Sequence, residues 1–297
     1  MNAHPEVEIT VVTDHKCQVG DSPVWDAVGR RLYWVDSLRA AVHQFDPESG
    51  RLHTFQVGEI IGSIALRERG GIVAALASGF AFLDIEAENV EHIHDPEAGL
   101  PGNRFAGGAC DAEGRFWAGT TSVTDSRGAG TLYMLQRDGR AQRRLTGISN
   151  PRGLAWSTDN KRLYFLDTPT FEVIAFDYHA ASGVIHNPRI ALQIAPDMGA
   201  PGGIAIDADG MLWIAHWDGG QLSRWDPLKA KLLNKILLPV SRLTGCTFGG
   251  GGLNEILVST ARTGLSEQAI ADQPLAGSLF RIRYSGAIGL PANKYGG

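Results

Sequence analysis

Three glycine-flanked turns carry side chains that differ sharply in what they offer a ligand. Gly20-Asp21-Ser22-Pro23 presents a carboxylate, Pro151-Arg152-Gly153 a guanidinium, and Pro201-Gly202-Gly203 no side chain at all. A turn aspartate accepts hydrogen bonds from its own backbone two residues on, and the same carboxylate can meet a ligand. Arg152 is a permanent cation with a rigid fork of donors, suited to a carboxylate, a carbonyl or a plain structural ion pair. His216, within Trp213-Ile214-Ala215-His216-Trp217-Asp218, suits general-base work near neutral pH without a metal, and equally a hydrogen-bonded place in the core. Asp167 and Asp218 are explained as turn residues, and Cys246 as a small apolar strand residue. The run Gly249-Gly250-Gly251-Gly252 lacks the Lys-Ser that would make it a phosphate loop, and there is no Gly-x-Ser-x-Gly nucleophile motif.

The elements that must position these residues repeat. A polar turn followed by an aromatic or branched triplet occurs six times: Leu32-Tyr33-Trp34, Ile72-Val73-Ala74, Phe116-Trp117-Ala118, Leu163-Tyr164-Phe165, Leu212-Trp213-Ile214 and Ile256-Leu257-Val258. The triplets recur roughly every 40–50 residues, the period of propeller blades. About ten residues after most of them comes a second strand-like run, in several cases followed by a turn, such as Val42 to Pro47 or Leu222 to Pro227. Helical periodicity is not sustained anywhere; Ser266 to Ala271 is the best short candidate. The pattern predicts an all-β fold, a six-bladed β-propeller in one domain over 1–297, in preference to a pair of β-sandwiches. Glu6 to Val12 alternates as a strand and is expected to close the last blade against a hairpin over Gly277 to Tyr284.

Composition narrows the partners. The 297 residues are 43% hydrophobic and 20% charged, with a net charge of -5 and no long basic run, which disfavours nucleic acid or an anionic membrane. Met1 to Val12 lacks a basic start and an apolar core, so no secretory leader is expected, and no run is long enough for a membrane span. Cys17, Cys110 and Cys246 are widely spaced and form no CxxC pattern, which predicts a reducing, cytoplasmic setting. The oligomeric state is left open.

At this point the chain resembles the family of gluconolactonases, regucalcin and the luciferin-regenerating enzyme. Gly20-Asp21-Ser22-Pro23-Val24-Trp25-Asp26 is similar to its G-E-G-P-x-W-D, and Asp111 to Thr120 to its D-x-x-G-R-x-W-x-G-T. Gly153-Leu154-Ala155-Trp156-Ser157 is similar to N-G-L-A-W-S without the Asn, and Leu275 to Phe280 to the P-x-A-G-x-L-F tail. The resemblance implies a divalent cation at one mouth of the propeller channel, held by a Glu, an Asn and an Asp. That cation would polarise a lactone carbonyl and activate water. Here Asp21 stands at the Glu, Arg152 at the Asn, and Gly202 at the Asp, which is also the family's favoured general base. Asn150 re-enters as a metal ligand only if Pro151-Arg152 bulges out as an insertion. Asn103-Arg104-Phe105-Ala106-Gly107-Gly108 resembles N-R-x-N-D-G, which assigns Arg104 and Asn103, with Asn150, to substrate binding.

The expectation is therefore a hydrolase of a small sugar lactone or related cyclic, oxygen-rich compound. Asp21, Arg152 and His216 are its catalytic candidates, no cofactor is required, and a small-molecule substrate is the partner. One divalent cation (calcium, zinc or iron), held by Asp21 and Asn150, is the alternative. The competing functions are a metal-free isomerase or lyase on a sugar-acid-like substrate, and a non-catalytic propeller that binds an anionic small molecule.

Overall fold

A computed structural model of the chain describes residues 7–284 and 286–297. It is a six-bladed β-propeller: six antiparallel sheets of four strands each. Blade 1 spans 20–56, blade 2 spans 61–94, blade 3 spans 103–148, blade 4 spans 151–193, and blade 5 spans 200–237; blade 6 joins 243–284 to the strand Val7–Val11. The innermost strand of each blade neighbours those of the blades before and after it, which closes a ring around a central channel.

All six apolar triplets lie on the second strand of their blades, where both faces are covered by neighbouring sheets. Trp34, Trp117 and Trp213, one on each of three second strands, are fully buried. Two of the polar turns before these strands, in blades 3 and 5, are built around a buried aspartate. Asp111 accepts the backbone N–H groups of Glu113 and Arg115 with one oxygen, and the indole N–H of Trp117 at 2.7 Å with the other. Asp207 repeats this with Asp209, Met211 and Trp213. The D-x-x-G-R-x-W pattern thus records a self-capped turn locked to the core two strand positions on. The outermost strands, such as Asn89–His94, are largely exposed and polar, and their sequences carry little apolar signal.

Val7–Val11 pairs antiparallel with Phe280–Tyr284, from Val7 opposite Tyr284 to Val11 opposite Phe280, and forms the outer strand of blade 6. Glu6, the first residue of the predicted strand, lies outside the described residues. The short helix runs Glu267–Asp272, with Ser266 as its N-cap accepting from the Ala269 N–H at 3.1 Å. Among the described residues no helix is long and apolar enough to cross a membrane. Cys17, Cys110 and Cys246 are all free and buried.

The segment after blade 6, unforeseen in the sequence reading, crosses the far end of the channel. It bonds blade 5 through the Ala208 N–H to the Ile288 carbonyl, and blade 2 through the Tyr295 N–H to the Leu66 carbonyl. It reaches blade 1 through Lys294 and Asp26 at 3.0 Å, and blade 3 through the Tyr295 hydroxyl to the Gln136 carbonyl.

Candidate active site

The glycine-flanked segments are not turns. Each begins the innermost strand of a blade, and each is bulged. All six innermost strands skip register near their first residues, between Asp21 and Val24, Ile61 and Ser63, Phe105 and Gly108, Pro151 and Gly153, Pro201 and Ile204, and Leu243 and Gly245. A bulge re-aims side chains and tightens the strand bend, so this ring of irregularities narrows one mouth into a neck. Glycine is required where backbones meet there. A Cβ on Gly62 would lie 2.5 Å from the Phe105 carbonyl oxygen, and one on Gly107 would lie 2.8 Å from backbone atoms of Arg152.

Hydroxyls stitch the neck from blade to blade. Ser37 donates to the Ile61 carbonyl at 2.6 Å, Thr121 to Ser149 at 2.7 Å, Thr168 to Pro201 at 2.8 Å, and Thr244 to Gly20 at 2.5 Å. Buried aspartates fix the approach to the two charged positions. Asp36 accepts the N–H groups of Gln18 and Val19 at 2.8 and 3.2 Å, just before Asp21. Asp167 accepts those of Ser149 and Asn150 at 2.9 and 2.6 Å, at the same offset before Arg152. Both end matching stretches, Arg31–Asp36 and Arg162–Asp167, and this repeat was the available signal that they do the same job. Asp167 is thus an anchor for the strand carrying Arg152 rather than a simple turn residue.

At the neck, Arg152 Nη1 lies 3.0 Å from Asp21 Oδ2, with the two side chains 20% and 13% exposed. Asp21 Oδ1 accepts the Ser22 N–H at 2.7 Å. Burial pushes the Asp21 carboxyl up from its ordinary range, against the opposing pull of Arg152, the Ser22 N–H and, more weakly, Arg104. Burial and the like charge of Arg152 lower the Arg104 pKa, partly countered by Asp125 and Asp21, so two guanidiniums share one mouth with a single buried carboxylate. Below the neck, Asp21 and Arg152 line a channel cavity of about 190 Å³ with Ser63, Cys110, Cys246 and Thr247, floored by Ala292 and Asn293 of the crossing segment.

His216 does not join them. Its position corresponds to those of Asp36 and Asp167: it pairs with Pro201, as they pair with Gly20 and Pro151. It is completely buried, with Nε2 2.6 Å from Ser223 Oγ and Nδ1 facing the Gly199 carbonyl at 3.4 Å. Burial lowers its pKa to about 4. The expectation of a catalytic base at His216 is therefore corrected: both nitrogens face protein, and the ring braces the approach to Gly202. Asn103 opens the innermost strand of blade 3 and spends its side-chain amide on the Ala129 carbonyl at 3.0 Å. Asn150 does not line the cavity; Arg152 is itself the bulged residue and turns into the neck, so it, and not Asn150, faces Asp21.

A divalent cation needs several oxygen donors. Asp21 is the only carboxylate lining the cavity among the described residues, and one of its oxygens faces Arg152. A Cβ on Gly202 would lie 2.9 Å from the Thr244 carbonyl oxygen, so the neighbouring strand crowds the place of the missing carboxylate. A divalent ion ~4 Å from Arg152 would be repelled by about 8 kcal/mol at an effective dielectric near 20. The residues at the neck do not fit the ion that the resemblance implied.

Residues 19–262 match the family model described as the SMP-30/Gluconolactonase/LRE-like region. The chain is 34% identical over 296 residues to regucalcin of Xenopus laevis, covering 98% of this chain and 99% of the relative. It is 32% identical over 274 residues to the "Putative sugar lactone lactonase YvrE" of Bacillus subtilis, covering 92% and 94%. Among solved structures, a luciferin-regenerating enzyme superposes with a TM-score of 0.91 at 27% identity, covering 98% and 99% of the two chains.

Proposed function

The chain belongs to the SMP-30/gluconolactonase/LRE-like family, and on that premise we propose that it hydrolyses a small sugar lactone, or a related cyclic, oxygen-rich compound, without a metal at the channel neck. The observation that carries this reading is the Asp21–Arg152 pair at 3.0 Å, beside Arg104, where the family fold would hold its cation. Arg152 is a donor held at the neck by Asp21, with the charge of Arg104 coupled to it, and preorganised donors stabilise an oxyanion as it forms. Asp21, raised by burial, is the base.

In the reaction Asp21 takes a proton from water as the water oxygen bonds the lactone carbonyl carbon. The carbonyl electrons move to an oxyanion held by the guanidiniums. Collapse breaks the ring C–O bond, and protonated Asp21 returns its proton to the departing alkoxide. The product is a hydroxy acid, and its carboxylate is a natural partner for Arg104 and Arg152. The setting would be the cytoplasm and the partner a small molecule.

The test is turnover of a panel of sugar lactones with and without chelator. Activity should survive chelation, Asp21→Asn should lower kcat by about 10²–10⁴-fold, and Arg104→Ala should lower kcat as well as raise KM. Activity abolished by chelation and restored by metal would refute the metal-free mechanism. Saturable binding of sugar acids without turnover of any lactone would favour the binding propeller instead.

A further inference from the structure

A second group of chemically competent side chains lies outside the channel. His15 and Cys17 sit on the irregular stretch between the closing strand Val7–Val11 and the innermost strand of blade 1; His43 lies on the third strand of that blade, Ala41–Asp46. One donor atom from each lies within 4.8 Å of the other two. The two imidazoles pack with centroids 4.3 Å apart and planes tilted by 53°. His43 is 1% exposed, and its Nδ1 is 2.9 Å from Thr54 Oγ1. That contact leaves Nε2 as the free atom, and the Nε2 atoms of both His43 and His15 are buried without a hydrogen-bond partner. Leaving buried polar atoms unmatched is costly, and here two such nitrogens gather at a thiol.

We propose that His15, Cys17 and His43 form a zinc site, with a fourth position left for water. Two imidazoles and a thiolate are a borderline-soft donor set that suits zinc, and calcium ligates through oxygen. Burial lowers the pKa of both imidazoles and so favours their neutral, ligating form, whereas burial and Asp36 push the Cys17 thiol up, so the ion itself must displace its proton. Thr54 fixes the orientation of His43, as outer partners of metal-bound histidines do. The Trp34 ring packs on His43 at 5.0 Å between centroids. Buried Asp36 places a negative charge within reach of His15 and Cys17, offset by Arg39 and Lys16. Binding replaces the Cys17 S–H bond with an S–Zn bond and releases the proton to solvent. Tetrahedral zinc holds such donors about 3.3–3.8 Å apart, so the ligands must close by up to ~1 Å, a shift the irregular stretch bearing His15 can supply. The ion would then clasp the stretch joining the ring-closing strand to the strand that carries Asp21.

The test is titration of the whole protein with zinc and, as a spectroscopic reporter, with cobalt(II). One ion per chain should bind, cobalt should show a thiolate charge-transfer band, and zinc should displace it. The band should vanish in Cys17→Ser and persist in Cys246→Ser and in Asp21→Asn. Thr54→Val should weaken binding by about 10–100-fold without unfolding the chain. Zinc should raise the melting temperature of the wild type and leave that of Cys17→Ser unchanged. A folded wild-type protein that gives no thiolate–cobalt band at stoichiometric cobalt, or one whose band survives Cys17→Ser, overturns the site.

Discussion

Replacing Arg152 with Ala asks whether the neck is held by charge or by packing. At 3.0 Å and an effective dielectric near 20 the attraction between Arg152 and Asp21 is about 5.5 kcal/mol. Desolvation of both groups offsets much of that, and the partial exposure of each side chain discounts it further. The net loss is expected near 2–3 kcal/mol, roughly 3–5 °C in melting temperature for a chain of this length. Its pH dependence is the sharper signature. Asp21 already titrates above its ordinary range because burial outweighs the pull of Arg152. Stability linked to its protonation is therefore full below the unfolded carboxylate value of about 3.9 and is lost as pH rises through the folded value. Without Arg152 the folded value climbs further, so the variant loses more as pH rises. Its deficit should be small in acid, grow across the Asp21 titration and then level off. Thermal unfolding of both proteins from about pH 4 to about pH 8, in low and high salt, measures this. An equal deficit at every pH would mean that only packing was lost and would refute the charge argument.

Three further outcomes follow from the geometry. Deleting Met1 to Val12 should lower the melting temperature and promote association, because it bares the Phe280–Tyr284 edge of blade 6; unchanged melting and light scattering would count against ring closure by this strand. His216→Ala should cost about 2–4 kcal/mol, since a large side chain and its bonds to Ser223 leave a buried void. Burial depresses its pKa, so its contribution is present above about 6.5 and is lost as pH falls toward about 4; the variant's acid-unfolding curve should lack that step. Gly202→Asp should destabilise by about 1–3 kcal/mol through crowding at the Thr244 carbonyl. Paired with Arg152→Asn it should recover stability when calcium or manganese is added, and a melting temperature indifferent to metal would show that the borrowed ligand geometry is wrong.

The parts of the fold that were legible are those where chemistry and packing agree. The six triplets read as strands because second strands are covered on both faces and need aromatic and branched residues. The innermost strands read as turns because their bulges are written in glycine and proline, the residues of turns, for a different reason: neighbouring blades leave no room for a Cβ. Asp21, Arg104 and Arg152 could be picked out through resemblance, since positions far apart in the chain meet only once the blades close. His216 misled because a strand-end histidine next to tryptophans has the same local sequence whether it faces a ligand or a core serine. The grouping of His15 and Cys17 with His43 was hidden by the intervening strands of blade 1, and the channel-crossing segment by its lack of any periodic pattern.

The crossing segment gives the channel a floor. A ligand in the cavity above Ala292 and Asn293 lies between that floor and the doorway at Asp21 and Arg152. For the proposed reaction, the departing hydroxy acid is an anion, and that doorway is flanked by Arg104 and Arg152. The groups that steady the transition state also detain the product. Slow release at low ionic strength is the expectation: salt, by screening the arginines, should quicken turnover, and added product should compete with substrate at that doorway.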